Sequence, residues 1–207
     1  MNFKCDVKDD KLLCISTEDI KFNNLPKVLK KFILEGLNNE YEVIVFTDDA
    51  ICENLEKVSY EYKDLIYNSL RVKRLKFEIY NSLSFNENSL EFTELLNYIN
   101  NSNFNIRVIW DFNSIVKSIG NIELIDKCIK KIFSCSNKNI KNLVYVKNMS
   151  YNFNLFKDFC KKFDKIFILD RYREINFSVN EEIEKVLWIL QSNAQLEYKN
   201  STLLLFE

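Results

Sequence analysis

Acidic residues follow three of the strands that the sequence predicts, and they are Asp48, Asp49, Asp111 and Asp170. In open α/β sheets, ligands bind beyond the carboxyl ends of the parallel strands. Carboxylates that converge there hold Mg²⁺ in many enzymes that process phosphates. An acid after a strand also serves as a cap for the next helix. The residues alone leave both interpretations open.

Basic residues give two further candidates. Arg171 and Arg173 flank Tyr172 directly after a predicted strand. Two guanidinium groups in that position suit an anionic ligand or a partner's carboxylate, although a surface loop has the same composition. A second cluster falls on one predicted strand, and alternation divides it between the two faces, which favours a solvated edge strand over a phosphate site. Its members are Arg71, Lys73, Arg74 and Lys76.

The composition removes several common kinds of chemistry. The 207 residues include no His and only two Gly, Gly36 and Gly120. Without His, the commonest general base and the usual zinc ligand are missing. Loops that cradle phosphates need several close glycines, and neither GxxxxGKS/T nor GxGxxG occurs. We therefore expect no ATP or GTP binding of physiological strength, no cofactor and no catalytic activity.

Net charge and cysteine content limit the binding partners and the cellular compartment that the sequence predicts. With 29 basic and 30 acidic side chains the net charge is −1, which argues against a dedicated nucleic-acid binder. The six Cys are scattered without a CxxC pair, as expected of buried thiols in a reducing compartment. No apolar segment approaches the ~20 residues of a membrane span, and the N-terminus lacks a signal peptide's apolar core. We expect a cytoplasmic protein that does not bind membranes.

Short apolar strands alternate with amphipathic helices along the chain. The predicted strands are 11–15, 41–46, 71–80, 104–110, 143–146 and 165–169, and the predicted helices are 25–37, 47–58, 87–101, 122–133, 153–163 and 183–190. Gly36 is expected to help end the first helix. This alternation predicts one α/β domain over residues 1–207, with a mostly parallel central sheet between two helical layers. Residues 195–206 add an antiparallel C-terminal hairpin to the prediction.

Four segments resemble the MEDS domain, a sensory domain of methanogen and methylotroph regulators. They are FILEGLNNEYEVIVFTDD at 32–49, FNIRVIWDF at 104–112, NIELIDKCIKKIF at 121–133, and NLVYVKNMSYNFNLFKDFCKKFDKIFILDRYREIN at 142–176. They are similar to the family's "eGL" turn with its second strand, its "lRv" strand, the helix after it, and the "lCqYd" stretch. Tyr145 stands where the family pattern has Cys, and Phe163-Asp164 lacks the family's His.

The resemblance implies a fold and a function. The MEDS domain is related to the RecA/KaiC-type ATPase core, so the fold expected is a degenerate RecA/KaiC-like domain without a P-loop. The function implied is a non-catalytic sensory or regulatory module in signal transduction or transcriptional control. Such a module binds a small ligand or a regulatory protein such as a kinase or a transcription factor. The ligand site would use the strand-end acids with Arg171 and Arg173.

Two other functions remain open, and so does the state of association. The strand-end acids suit a Mg²⁺-dependent enzyme that processes phosphates, and the fold also suits a protein adaptor with no small ligand. We expect a homodimer, because sensory modules commonly dimerise and the net charge offers little repulsion. The C-terminal segment 180–206 is the first candidate for the dimer surface, with Trp188 as its anchor. Packing of Trp188 on the sheet is the alternative.

Overall fold

A computed structural model of the chain describes residues 11–16, 27–47, 68–69, 71–81, 83–113, 115, 122–135, 139–147, 153–169, 174–178, 184–186 and 188–189. The strands are β1 (Lys11–Ser16), β2 (Glu42–Thr47), β3 (Leu75–Ile79), β4 (Ile106–Asp111), β5 (Ile140–Lys147), β6 (Lys165–Leu169) and β7 (Glu174–Ser178). The helices with defined bounds are α1 (Lys27–Asn38), α2 (Leu90–Asn101), α3 (Ile122–Phe133) and α4 (Phe153–Cys160).

The seven strands form one sheet in the order β3-β2-β4-β5-β1-β6-β7. Neighbours from β3 through β6 are parallel, and β7 alone is antiparallel, to β6. The central strands β2 and β4 are buried along their whole length. This explains their nearly continuous apolar sequences, because a parallel strand covered on both faces has no solvent side. The α/β class and the mostly parallel sheet are confirmed.

Helices cover both faces of the sheet. On one face, the apolar residues of α1 join alternate residues of β1, β2, β4, β5 and β6 in one hydrophobic cluster, and α1 itself packs mainly on β2 and β4. On the other face, α2, α3 and α4 pack against the remaining set. The second face also holds an aromatic cluster, whose ring centroids lie 4.7–6.5 Å apart. The cluster consists of Phe46, Tyr80, Phe85, Phe92, Trp110 and Phe112. The result is the predicted three-layer architecture.

Helix α1 ends at Asn38, close to the predicted end, although Gly36 itself lies inside the helix. A Cβ at this position would come within 2.8 Å of Val43 Cγ2 and 2.9 Å of Arg107 Cδ. The absence of a side chain therefore lets the last turn of α1 approach the sheet closely. The helix ends two residues later, and Tyr41 N–H donates to the Gly36 carbonyl at 2.9 Å where the chain turns into β2.

Other predictions differ from the structure at their boundaries. The strand predicted over 71–80 is shorter, because residues 71–74 form a turn in which Lys73 has a φ of 58°. The antiparallel strand β7 occupies residues for which the sequence predicted neither a strand nor a helix. The predicted helix at 47–58 and the hairpin at 195–206 fall almost wholly outside the described residues. Within the described part of the chain, no helix has both the length and the apolar character that crossing a membrane requires.

Candidate functional site

Asp111 is the last residue of the central strand β4 and is only 4% exposed. Alternation along β4 turns its side chain to the face covered by α1. The Thr47 hydroxyl, at the end of β2, donates to Asp111 Oδ2 at 3.1 Å. The Asn113 N–H donates to Asp111 Oδ1 at 3.1 Å. The carboxylate is therefore held by two neutral donors at the carboxyl edge of the sheet.

The contact with Asn113 closes a local turn. A carboxylate that accepts from the N–H two residues later forms an Asx turn, which starts the chain's departure from the strand. One oxygen of Asp111 thus plays the structural part that the capping interpretation predicts. The other oxygen contacts Thr47 on a neighbouring strand, so the carboxylate also ties β2 to β4.

Tyr145 extends the polar group across the next strands. It lies opposite Asp111 in the β4–β5 register and opposite Cys14 in the β1–β5 register. Its hydroxyl interacts with the side chains of Ser16 and Asn113. We define the carboxyl-edge cluster as the side chains of Ser16, Thr47, Asp111, Asn113 and Tyr145.

The electrostatics of the cluster favour a neutral Tyr145. Burial raises the pKa of its hydroxyl well above the ordinary value, and the nearby charge of Asp111 raises it further. Hydrogen bonds from Ser16 and Asn113 act in the opposite direction. At neutral pH the cluster therefore presents one carboxylate among hydroxyl and amide groups that both donate and accept hydrogen bonds.

Asp111 also connects the two faces of the sheet. The Tyr80 hydroxyl donates to the backbone carbonyl of Asp111 at 2.6 Å from within the aromatic cluster. Tyr80 follows β3, and its N–H donates to the Thr47 carbonyl at 2.9 Å. A displacement of Asp111 would therefore reach both the aromatic cluster and the end of β3.

The N-terminal end of helix α1 is directed toward the carboxyl edge of the sheet. Its last turn leads through three residues into the start of β2, so its C-terminus lies at the amino edge of the sheet. Twelve helical residues span ~18 Å, which places the N-terminal end of α1 toward the carboxyl edge on the face of the cluster. The positive end of the helix dipole and the hydroxyl groups suit a polar ligand there.

The structure separates the sequence-predicted site residues into two groups. Asp111 is placed, whereas the other five lie outside the described residues: Asp48, Asp49, Asp170, Arg171 and Arg173. Strand β2, which Asp48 and Asp49 follow, is the immediate neighbour of β4. Strand β6, which precedes Asp170, is three strands from β4, a separation of ~14 Å at ordinary strand spacing. The carboxyl ends of these three strands therefore lie at the same edge of the sheet. The ends of β2 and β4 are adjacent, and the end of β6 is distant from them.

The basic cluster around β3 has structural partners at the amino edge. Arg74 donates to the Leu37 carbonyl at the end of α1, at 2.7 Å. Lys76 contacts Glu42 in an ion pair and donates to the Tyr98 hydroxyl at 3.0 Å. Arg71 and Lys73 are exposed. Only Lys76 of the four lies in β3, so the predicted division by alternation along one strand is wrong, although β3 does lie at an end of the described sheet.

Sequence reasoning missed Ser16, Thr47, Asn113 and Tyr145. Ser16, Thr47 and Asp111 end parallel strands on the α1 face, and Tyr145 is the register partner of Asp111. Only the strand order makes them neighbours, and the order was not deduced from the sequence. The sequence did contain one signal for Asn113. It lies two residues after Asp111, and this spacing is typical of an Asx turn.

The cysteines and the acids of the described residues give no sign of redox or metal chemistry. Burial raises the pKa of Cys128 to about 12 and raises that of Cys160 further. Cys14, Cys128, Cys135 and Cys160 are reduced and form no disulfide. Among the described residues, no three His, Cys, Asp or Glu side chains come together in a group suited to a metal ion.

Trp188 is 69% exposed in a helical stretch near the end of the described residues. It does not pack fully on the sheet. Of the surface predicted for dimerisation, residues 180–206, the structure describes only 184–186 and 188–189. The role of Trp188 as an anchor of a dimer therefore stays a prediction.

Comparison with the models of known protein families and with curated proteins gives no match for this chain.

Proposed function

We propose that this protein is a non-catalytic sensory or regulatory module that binds a small polar ligand at the carboxyl-edge cluster. The observation that carries the proposal is the buried carboxylate of Asp111, held by Thr47 and Asn113 where a parallel sheet presents its ligand crevice. A fixed acceptor surrounded by hydroxyl groups selects ligands by hydrogen bonding. The proposal includes a MEDS-like, degenerate RecA/KaiC-like fold, to which the resembling segments lend support.

The signalling part of the proposal rests on the connections of Asp111. Its carboxylate would contact the ligand on the α1 face, and its carbonyl accepts from Tyr80 on the opposite face. Ligand binding that shifts Asp111 would alter the aromatic cluster and the start of the chain after β3. A regulatory partner, such as a kinase or a transcription factor, would respond to that change.

The test is ligand capture by the purified protein. The wild type is equilibrated with a metabolite extract of its source cells, and bound species are identified by native mass spectrometry. We expect a discrete small molecule on the wild type and at least a tenfold loss in Asp111→Asn, since a buried acceptor is removed. Asp158→Asn is the matched control, because Asp158 is exposed on α4.

Two results would point to the other functions. Mg²⁺-dependent release of phosphate from ATP, GTP or a phosphomonoester, abolished in Asp111→Asn, would establish the enzyme. No bound small molecule under any condition would reject the ligand site and leave the protein adaptor.

A further inference from the structure

Strand β3 lies at one end of the described sheet, with β2 as its single neighbour there. Val43 N–H donates to the Arg74 carbonyl, and Tyr80 N–H donates to the Thr47 carbonyl. In a parallel ladder, residues that bond to one neighbour alternate with residues whose backbone faces the other side. The even-numbered residues of β3 therefore bond to β2. The backbone groups of three residues face outward: Leu75, Phe77 and Ile79.

These outward groups make no hydrogen bonds within the described part of the chain, and two of the three residues, Phe77 and Ile79, reach the surface, whereas Leu75 is buried. Among the described residues, no hydrogen bond uses the N–H or C=O of Leu75, Phe77 or Ile79, and none of the three has an unassigned polar partner. Three donors and three acceptors therefore lie in a row along the strand. A row of this kind is a template for the addition of another strand.

The side chains of β3 complement themselves in an antiparallel pair. When the pair is centred on Phe77, each Lys76 lies opposite the second copy's Glu78. Leu75 lies opposite Ile79, and the two Phe77 residues face each other. The outward backbone groups are then in register, because all three facing pairs are of the hydrogen-bonded type and exchange six bonds. Centring the pair on Phe77 thus pairs the outward backbone groups, brings opposite charges together and places apolar side chains opposite one another.

The surface composition fits this arrangement. Ile79 is 55% exposed, and Phe77 is partly exposed although its neighbour Leu75 is buried. Glu78 is exposed and has no ion pair among the described residues. Lys76 is fixed close to the edge by its contacts with Glu42 and Tyr98. A second copy therefore provides an ion-pair partner for Glu78 and cover for Ile79.

We propose that two copies of this chain dimerise by antiparallel pairing of β3 with β3 around a two-fold axis through Phe77. The two sheets become one continuous sheet, and the interface is isologous, as in most homodimers. Strand β7, at the other end of the sheet, lacks this complementarity. An antiparallel pair centred on Asn176 would place Glu174 opposite Ser178, with no opposite charges. The proposal does not depend on the ligand site.

Amide hydrogen exchange measured by NMR gives the direct test. In the monomer, the N–H groups of Lys76 and Glu78 are protected by β2, and Leu75 is buried, whereas the N–H groups of Phe77 and Ile79 exchange with water. At protein concentrations that favour the dimer, we expect Phe77 and Ile79 to be protected as well. A dimer formed through Trp188 or any other surface would leave these two amides unprotected and would overturn the proposal.

Charge reversal tests the register. Glu78→Lys places two lysines opposite each other at both ends of the pair, so we expect the dimer dissociation constant to rise roughly tenfold or more. Glu94→Lys is the matched control, because Glu94 is exposed on α2 and the change in net charge is the same. If sedimentation equilibrium shows the same dimer dissociation constant for the two variants, the proposed register is wrong.

A second variant addresses the backbone. Ile79→Pro removes an outward N–H and leaves the bonds to β2 intact, and proline is tolerated at such edge positions. We expect weaker dimerisation with an unchanged circular dichroism spectrum. If this variant misfolds, the exchange pattern of the wild type still decides the question. A wild type that stays monomeric up to about 1 mM would overturn the proposal outright, since weak strand-edge interfaces associate below that concentration.

Discussion

The two ends of β4 carry opposite charges on the same face of the sheet. Arg107, near the amino end, is 2% exposed, and Asp111, at the carboxyl end, is 4% exposed. Three strand residues lie between them, so the two Cα atoms are ~13 Å apart at the ordinary rise of a strand. Burying either charge without compensation costs free energy. The way each is compensated differs, and that difference separates a residue that determines the fold from one that is available for binding.

Arg107 is enclosed by the last turns of α1. Its Nη1 donates to the Phe32 carbonyl at 2.8 Å and lies 3.7 Å from Glu35 Oε2. The guanidinium lies 5.0 Å from the ring centroids of both Phe32 and Tyr41. Gly36 provides the space for its aliphatic stem. An opposite charge, two aromatic faces and close packing together offset the cost of burial.

Asp111 has a different environment. It accepts from the hydroxyl of Thr47 and the backbone N–H of Asn113, which are neutral donors. These bonds orient the carboxylate at the carboxyl edge of the sheet, where ligands bind in open α/β sheets. The comparison predicts that changes at the amino end affect folding and changes at the carboxyl end affect binding.

The largest effect is expected for Arg107→Ala. The substitution removes the bond to the Phe32 carbonyl and the contacts with two aromatic rings, and it leaves a cavity beneath α1. We expect a loss of about 3 kcal/mol in the free energy of unfolding, measured by urea denaturation. Arg71→Ala is the matched control, because Arg71 is exposed, and it should change stability by less than about 0.5 kcal/mol. Similar losses in both variants would contradict the structural role of Arg107.

A smaller loss is expected for Gly36→Ala. Alanine favours a helix over glycine by about 1 kcal/mol. The new Cβ, however, would lie within 3 Å of both Val43 and Arg107, and overpacking of this kind costs about 1–3 kcal/mol. We expect a net destabilisation of about 1 kcal/mol, measured by thermal and urea unfolding. A net stabilisation would show that α1 can move away from the sheet without cost.

The sequence predicted the elements of this fold better than it predicted the contacts between them. Apolar periodicity located β2, β4 and α3, because local patterns follow from which residues face the core. The pairing of Arg107 with Glu35 and Gly36 joins residues more than 70 positions apart. These residues lie in two of the segments on which the proposed MEDS relationship rests, and in this chain their contacts are packing contacts at the amino edge.

The candidate site was predicted only in part for the same physical reason. Asp111 was identified because an acid after an apolar strand can be recognised from neighbouring residues in the sequence. Thr47 and Tyr145 became its neighbours only through the strand order β2-β4-β5. The close approach at Gly36 was not predicted, because glycine ends helices and also allows close approach, and only the position of Arg107 decides between the two roles.

Tyr145→Phe tests whether the carboxyl-edge cluster is held by hydrogen bonds. Loss of the hydroxyl should cost about 1 kcal/mol at neutral pH. Because burial raises the pKa of Tyr145 above the ordinary value of 10.0, the folded state binds its proton more tightly than the unfolded state. The wild type should therefore lose stability as the pH rises above 10. The variant should lose less over that range, so the difference between the two proteins should shrink.

Urea denaturation at pH 7 and across pH 9–11 measures this effect. The buried thiols, with the pKa of Cys128 raised to about 12, contribute an alkaline loss that is common to both proteins. Only the difference between wild type and variant reports Tyr145. A constant difference across the range would show that Tyr145 titrates in the same way in the folded and unfolded chains.

The smallest effect on stability is expected for Asp111→Asn, with the largest contrast in function. The amide oxygen can keep the bond from Asn113 N–H, and the new NH₂ can donate to the Thr47 hydroxyl, which also accepts. Removal of a buried charge offsets any loss in geometry, so the free energy of unfolding should change by less than about 1 kcal/mol. Ligand capture should nevertheless fall at least tenfold, since binding uses the acceptor that is lost. A variant that unfolds as readily as Arg107→Ala would show that both ends of β4 serve the fold, and the distinction between them would fail.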